Sequence, residues 1–258
     1  HQSGFQVVVL NPLVSRRFAQ MKLSRTKTDR VDARLLAEYG RVFYPDLSPW
    51  EPPKAVFVQL RQLNTALRLS QKQLSMLRNQ QAAFHAEGLL DPRVEQVQNQ
   101  LICELKASIK ALGKQMNDLC KMHFEASYKR LQSIPGVGPK TASMLITITR
   151  DFTAFESAKQ LVAYIGLCPR IFQSGTSVNG KGAINKMGQP ALRACLYMGA
   201  FSAMKRNPDC AKKAQQLKER GKHYRVIRVA VAHQLVRQAF AIATQKTTYK
   251  PQLIEQNS

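Results

Sequence analysis

Ser133-Ile134-Pro135-Gly136-Val137-Gly138-Pro139-Lys140-Thr141-Ala142 is the stretch on which the reading of the chain turns. Ile134 and Val137 are apolar anchors, and the two glycines between and after them permit a tight turn. Pro139 suits the first turn of a following helix, where its missing N–H costs nothing. The pattern therefore predicts a hairpin between two helices. Amides left uncovered by Gly136 and Gly138 at a helix N-terminus attract phosphate, and Lys140 adds a charge beside them. A helix-hairpin-helix of this kind grips a nucleic-acid backbone without reading bases, and Gly136, Gly138, Lys140 and Thr141 are its contact residues. A purely structural turn between helices is the competing explanation.

The rest of the composition agrees with a polyanionic partner. Lys and Arg number 39 against 16 Asp and Glu, a formal net charge of +23 over 258 residues. Nucleic acid is the first candidate for such an excess. A membrane surface is the rival, but no continuous apolar run of about eighteen residues and no signal peptide is visible. The 44% of hydrophobic residues suffices for a real core. Five cysteines, Cys103, Cys120, Cys168, Cys195 and Cys210, are scattered without a paired spacing, so free thiols are expected rather than zinc ligands.

Outward toward the N-terminus, Phe5-Gln6-Val7-Val8-Val9-Leu10-Asn11-Pro12 predicts a buried strand ended by proline. One strand is not stable alone, and the chain starts at His1, so an N-terminally truncated protein is expected. A basic loop with Arg16, Arg17, Lys22, Arg25 and Lys27 follows. Thr28 then caps a helix with Val31, Leu35, Leu36 and Tyr39 as its apolar stripe. Asp29 and Asp32 share one face of its first turn. They complement the helix dipole, or they hold a hard divalent cation such as Mg²⁺; the spacing allows both.

The proline-rich linker Asp46 to Pro53 marks a boundary. Val56, Leu60, Leu63, Leu67, Ser70, Leu74, Leu77, Gln81 and Phe84 then alternate spacings of four and three, a coiled-coil pattern. A break at Glu87 to Pro92 precedes a second stripe: Val94, Val97, Leu101, Leu105, Ile109, Leu112, Met116 and Leu119. The two predict an antiparallel hairpin whose seam serves pairing between copies. Arg61, Arg68, Lys72, Arg78, Lys106, Lys110 and Lys114 lie on its outer faces, either as a solvated surface or as a nucleic-acid contact.

Beyond the central turn, helices are expected over Thr141 to Ile148, Phe152 to Ile165, Gln189 to Lys205 and Tyr224 to Thr244, with a basic helix around Lys212 to Lys222 and a frayed tail from Lys250. Between them lies a loop rich in Gly, Ser and Lys, Phe172 to Gly188. Ser174 there is a candidate nucleophile, with Lys181, Lys186 and Arg193 as cations able to stabilise a phosphate under attack. The loop holds no base, so an ordinary phosphate-binding or turn-forming Ser-Gly also fits, and Ser177 is an equally plausible hydroxyl.

Three motifs in this order, Thr28-Asp29-Arg30-Val31-Asp32-Ala33, the Ile134 to Ala142 hairpin, and Ser174-Gly175 with Gly182-Ala183-Ile184-Asn185-Lys186-Met187-Gly188 and Leu192-Arg193, resemble the DEDD-type insertion-sequence transposases. These are relatives of the Piv/MooV-like DNA invertases, and some are guided by a bridge RNA. The resemblance implies a mainly α fold of three parts: the C-terminal remnant of a RuvC-like α/β domain (1–47), a coiled-coil hairpin (48–128) and a helical domain with the helix-hairpin-helix and the serine (129–258). It implies that Asp29 and Asp32 are two carboxylates of a Mg²⁺ site and that Ser174 is the nucleophile that joins a DNA phosphate. DNA, a guide RNA and further copies of the chain (a dimer or tetramer through the coiled coil) are the implied partners, with no membrane, in a bacterial or archaeal cytoplasm at the nucleoid. A non-catalytic nucleic-acid-binding protein that dimerises through its coiled coil is the alternative.

Overall fold

The structure, a computed structural model, describes residues 4–24, 26–88, 90–170, 173–174, 178–179, 183–184 and 187–251. It is mainly helical, and it divides into two compact units, His1–Lys54 and Ala55–Ser258.

The first unit is a pair of helices, α1 (Pro12–Met21) and α2 (Asp29–Phe43), followed by a single 3-10 turn at Tyr44–Asp46. The expected strand at Phe5 to Pro12 does not form. Phe5 is 75% and Val9 66% exposed, and no strand occurs among the described residues of this unit. Asn11 and Pro12 start a helix instead of ending a strand: the Asn11 side chain accepts from the Leu13 N–H at 2.9 Å, and Pro12 occupies the first helical position. Arg16 and Arg17 are consequently on α1 rather than in a loop. Phe18 is buried, with its ring 5.2 Å from Tyr39 and 6.2 Å from Phe43, both edge-on. Thr28 caps α2 as expected, accepting from Val31 N–H at 3.3 Å.

The second unit begins with α3 (Ala55–Ala86) and α4 (Pro92–Gln132). Gln80 pairs with Gln98 and Gln81 with Asn99 beside the connecting turn, while Phe57 stacks on Phe124 at 5.1 Å at the far end, so the two run antiparallel. The α3 stripe is as expected, with Leu60 and Leu67 buried. The α4 stripe is displaced near the turn. Gln98 and Ile102 face the seam, whereas Val94, Val97 and Leu101 are 43%, 58% and 42% exposed. At this end Gln98 takes the seam position and donates to Gln80 across it. Phe124 leaves helical geometry (φ −137°, ψ 35°), and past this kink Tyr128 and Leu131 enter the core.

The remaining helices are α5 (Pro139–Thr149), α6 (Ala158–Ile165), α7 (Pro190–Arg206), α8 (Pro208–Glu219) and α9 (Tyr224–Gln245). The helix expected from Phe152 starts only after the Ser157 cap, because Arg150, Asp151 and Phe152 all take positive φ (51°, 54° and 65°). Tyr164 is correspondingly 45% exposed rather than inward. Between α6 and α7 the backbone folds back on itself: β1 (Pro169–Arg170) pairs with β4 (Ala183–Ile184) and, nested within, β2 (Gln173–Ser174) with β3 (Val178–Asn179), all antiparallel. By length and composition α9 alone among the described helices could cross a membrane. Its Val231, Leu235, Val236 and Ala239 are instead fully buried in the core with Leu145, Leu161, Leu192 and Leu196.

Candidate catalytic residues and nucleic-acid interface

Asp29 and Asp32 occupy the first turn of α2, whose N-terminal amides favour negative charge. Asp32 lines a cleft of about 680 Å³ in the first unit, together with Arg16 and Lys27 and over an apolar floor of Phe18, Leu35 and Tyr39. Asp29 does not line it. No group of three or more His, Cys, Asp or Glu suited to a metal ion gathers among the described residues. The two carboxylates are therefore fewer ligands than Mg²⁺ takes, and by themselves they do not make its site.

The central turn joins α4 to α5 as its sequence predicts, but the glycines and the threonine have different surroundings from those expected. Gly136 has φ +107°, and a Cβ there would meet Ala203 Cβ at 2.7 Å and the Gly199 carbonyl oxygen at 2.9 Å. Its lack of a side chain is explained by the close approach of α7. Thr141 is buried at 7% exposure, so its hydroxyl is withdrawn from any partner; it starts the fully packed run of α5. Gly138 and Lys140 are exposed. Gly138 caps α5 without a side-chain hydrogen bond, and nothing lies within 4 Å of where its Cβ would be. These two are the positions of the turn that remain open to solvent.

Ser174 lies on β2, its backbone paired opposite Val178 of β3. Lys181, Lys186 and Ser177 lie outside the described residues. Arg193, half-buried on α7, donates to the Ile165 carbonyl at 2.9 Å and so ties α7 to the C-terminal end of α6. Gly188 (φ +137°) approaches the same helix end, where a Cβ would stand 2.3 Å from the Tyr164 carbonyl oxygen. The Gly-rich run thus returns to the core at a fixed point.

Two features were not foreseen from sequence. Asn207 is fully buried, caps α8 through Cys210 N–H (3.2 Å), donates to Gln238 (2.9 Å) and accepts from the Tyr249 hydroxyl (2.9 Å). That hydroxyl also meets Asp209 at 2.9 Å, and burial, followed by this contact, raises its pKa. Second, the Arg228 guanidinium stands 5.1 Å from the Tyr197 ring centre, 5.0 Å from Phe201 and 6.0 Å from Tyr224. The i, i+4 pairs Tyr197/Phe201 and Tyr224/Arg228 were the available signal. All five cysteines are free; burial pushes Cys120 up to about 11 and Cys210 up to about 12, so both are inert thiols at neutral pH.

Comparison with known proteins relates the chain to transposase families and to gene-inverting proteins. The family described as "Transposase IS116/IS110/IS902 family" matches residues 128–215, and a DEDD-type IS110 transposase family matches residues 1–84. A "Pilin gene-inverting protein" of Moraxella lacunata is 32% identical over 253 residues, covering 97% of this chain and 76% of that protein. Its counterpart in Moraxella bovis is 31% identical over the same shares. A "Transposase for insertion sequence element IS1111A" of Coxiella burnetii is 36% identical over 126 residues, 48% of this chain and 34% of that one.

Proposed function

This chain belongs to the IS116/IS110/IS902 transposase family, and from that membership we propose that it cuts and rejoins DNA through a serine ester. The observation that carries the reading is the similarity to a gene-inverting protein along 97% of the chain. In the proposed step Ser174 Oγ attacks a DNA phosphorus, the phosphoserine ester forms, and the deoxyribose oxygen of the cleaved strand leaves as a hydroxyl. Attack of a second strand's hydroxyl on that ester rejoins the DNA and frees the serine. Lys181 and Lys186 follow Ser174 in sequence and are proposed to bind the phosphates on either side; Arg193 is proposed to reach them with the donors not engaged by Ile165.

Asp29 and Asp32 are proposed as two carboxylates of a Mg²⁺ site, a role for which aspartate oxygens are suited. Two ligands do not complete that site, so no step is assigned to the metal. Gly138 and Lys140 hold the DNA backbone at the start of α5. Two further partners complete the proposal. A structured guide RNA is one, a polyanion that the net charge of +23 would attract. A second copy is the other, seated on the coiled-coil hairpin, where Leu69, Met76 and Val97 are 57%, 59% and 58% exposed beside a groove of about 750 Å³.

The test is recombination in cells, with the chain expressed beside a plasmid carrying the ends of its insertion sequence. New junctions are expected with the wild type and none with Ser174→Ala or Asp32→Asn. Junctions that persist in both variants would overturn the assignment. Binding without junctions in the wild type is the behaviour of the non-catalytic alternative.

A further inference from the structure

Helices α7, α8 and α9 line an open surface pocket of about 650 Å³, walled by Phe201, Met204, Lys212, Lys218, Tyr224 and Arg228. No carboxylate lines it. Phe201 and Tyr224 are 47% and 54% exposed and line the same pocket. Arg228 is half-buried between rings, and no ion pair with a carboxylate holds it among the described residues. A guanidinium kept by π faces retains its N–H donors for another ligand. Lys205 stands over the Phe201 ring, 4.8 Å from its centre, and Arg225 lies 5.7 Å from the Tyr224 ring centre and donates to its hydroxyl at 3.1 Å, so both rings already hold cations over part of their faces.

We propose that this pocket takes an unpaired nucleobase of a DNA strand, stacked on Phe201 and Tyr224, with the flanking phosphates on Lys212, Lys218 and Arg228. Half-exposed aromatic rings among cations match a strand, which presents bases and phosphates in alternation. A duplex hides its base faces in the stack, so the pocket is blind to paired bases. An acidic peptide would satisfy the cations and leave the rings uncovered. The choice of DNA rests on the recombinase reading above, in which strands part during exchange.

The test measures the affinity of the full chain for an oligothymidylate of about 20 nucleotides, for an oligouridylate of that length and for a blunt DNA duplex. Phe201→Leu keeps apolar bulk without a π face and, at a half-exposed position, leaves the fold intact by thermal melting; Phe201→Trp restores the face. Expected is a loss of about tenfold or more on oligothymidylate in Phe201→Leu, an unchanged salt slope, unchanged duplex binding, and recovery in Phe201→Trp. Unchanged oligothymidylate binding in Phe201→Leu, an equal loss on duplex, or tighter binding of oligouridylate overturns the proposal while leaving the recombinase reading standing. A wild type that binds neither form of DNA overturns both.

Discussion

Gly136 and Gly138 stand two residues apart in one turn and answer to different constraints. Gly136 is a packing glycine: its φ of +107° and its approach to Ala203 and Gly199 leave no room for a methyl group. Gly138 has open space and an ordinary φ. Gly136→Ala should therefore cost about 2–4 kcal/mol from overpacking and left-handed strain. Gly138→Ala should stay within about 1 kcal/mol, as an exposed cap position. Denaturant melts of the two variants check this. The sequence presents the two glycines alike, and only the neighbouring helix separates them. His233 offers a second check at this scale. Burial, then the nearby Arg237 and Lys213, lower its pKa below 6.5. The folded state then binds fewer protons than the unfolded one, so this contribution is present above pH 6.5 and is lost as the pH falls below 6.5 through the lowered folded pKa. His233→Gln should flatten the acid side of a melting-temperature profile without shifting its neutral plateau.

Among the elements, the hairpin between α4 and α5 carries the phosphate proposal through Lys140, which is exposed beside an amide-bearing helix start. Lys140→Gln should weaken binding by a similar factor on unrelated DNA sequences and lower the salt slope by about 1. Equal affinity in titrations of wild type and variant would remove the turn from the interface. Elements with local signals were legible in the sequence: the Thr28 cap, the α3 stripe and the Asn207-Pro208 break all read directly. The failures arose where one signal serves two ends. Asn11-Pro12 reads as a stop after a β-branched run, yet the same pair is a cap and first residue, as at Asn207-Pro208. The α4 stripe misread Val94 and Val97 because polar Gln98 takes the seam through its contact with Gln80, a cross-helix pairing no local period reveals. The positive-φ run at 150–152 likewise has no glycine to announce it. The candidate site was legible as motifs, but the burial of Thr141 and the tie of Arg193 to Ile165 depend on tertiary packing.

For the whole molecule, 39 Lys and Arg against 16 acidic residues predict a steep loss of nucleic-acid affinity with salt, on the order of 10³ or more between low and physiological ionic strength for several phosphate contacts. A flat response in anisotropy titrations would contradict an electrostatic interface. Met76→Glu on the coiled-coil hairpin should shift a dimer or tetramer toward monomer in light scattering, since it places a charge on the exposed apolar groove; an unchanged mass would locate pairing elsewhere. Both properties set the conditions for the serine chemistry without testing it. The direct test is mass spectrometry of the protein after incubation with DNA carrying the ends of its element, with fragmentation of the tryptic peptide 171–181. The account predicts a nucleotide esterified to Ser174 that disappears in Ser174→Ala. A nucleotide on Ser177, or an adduct that survives in Ser174→Ala, would contradict it.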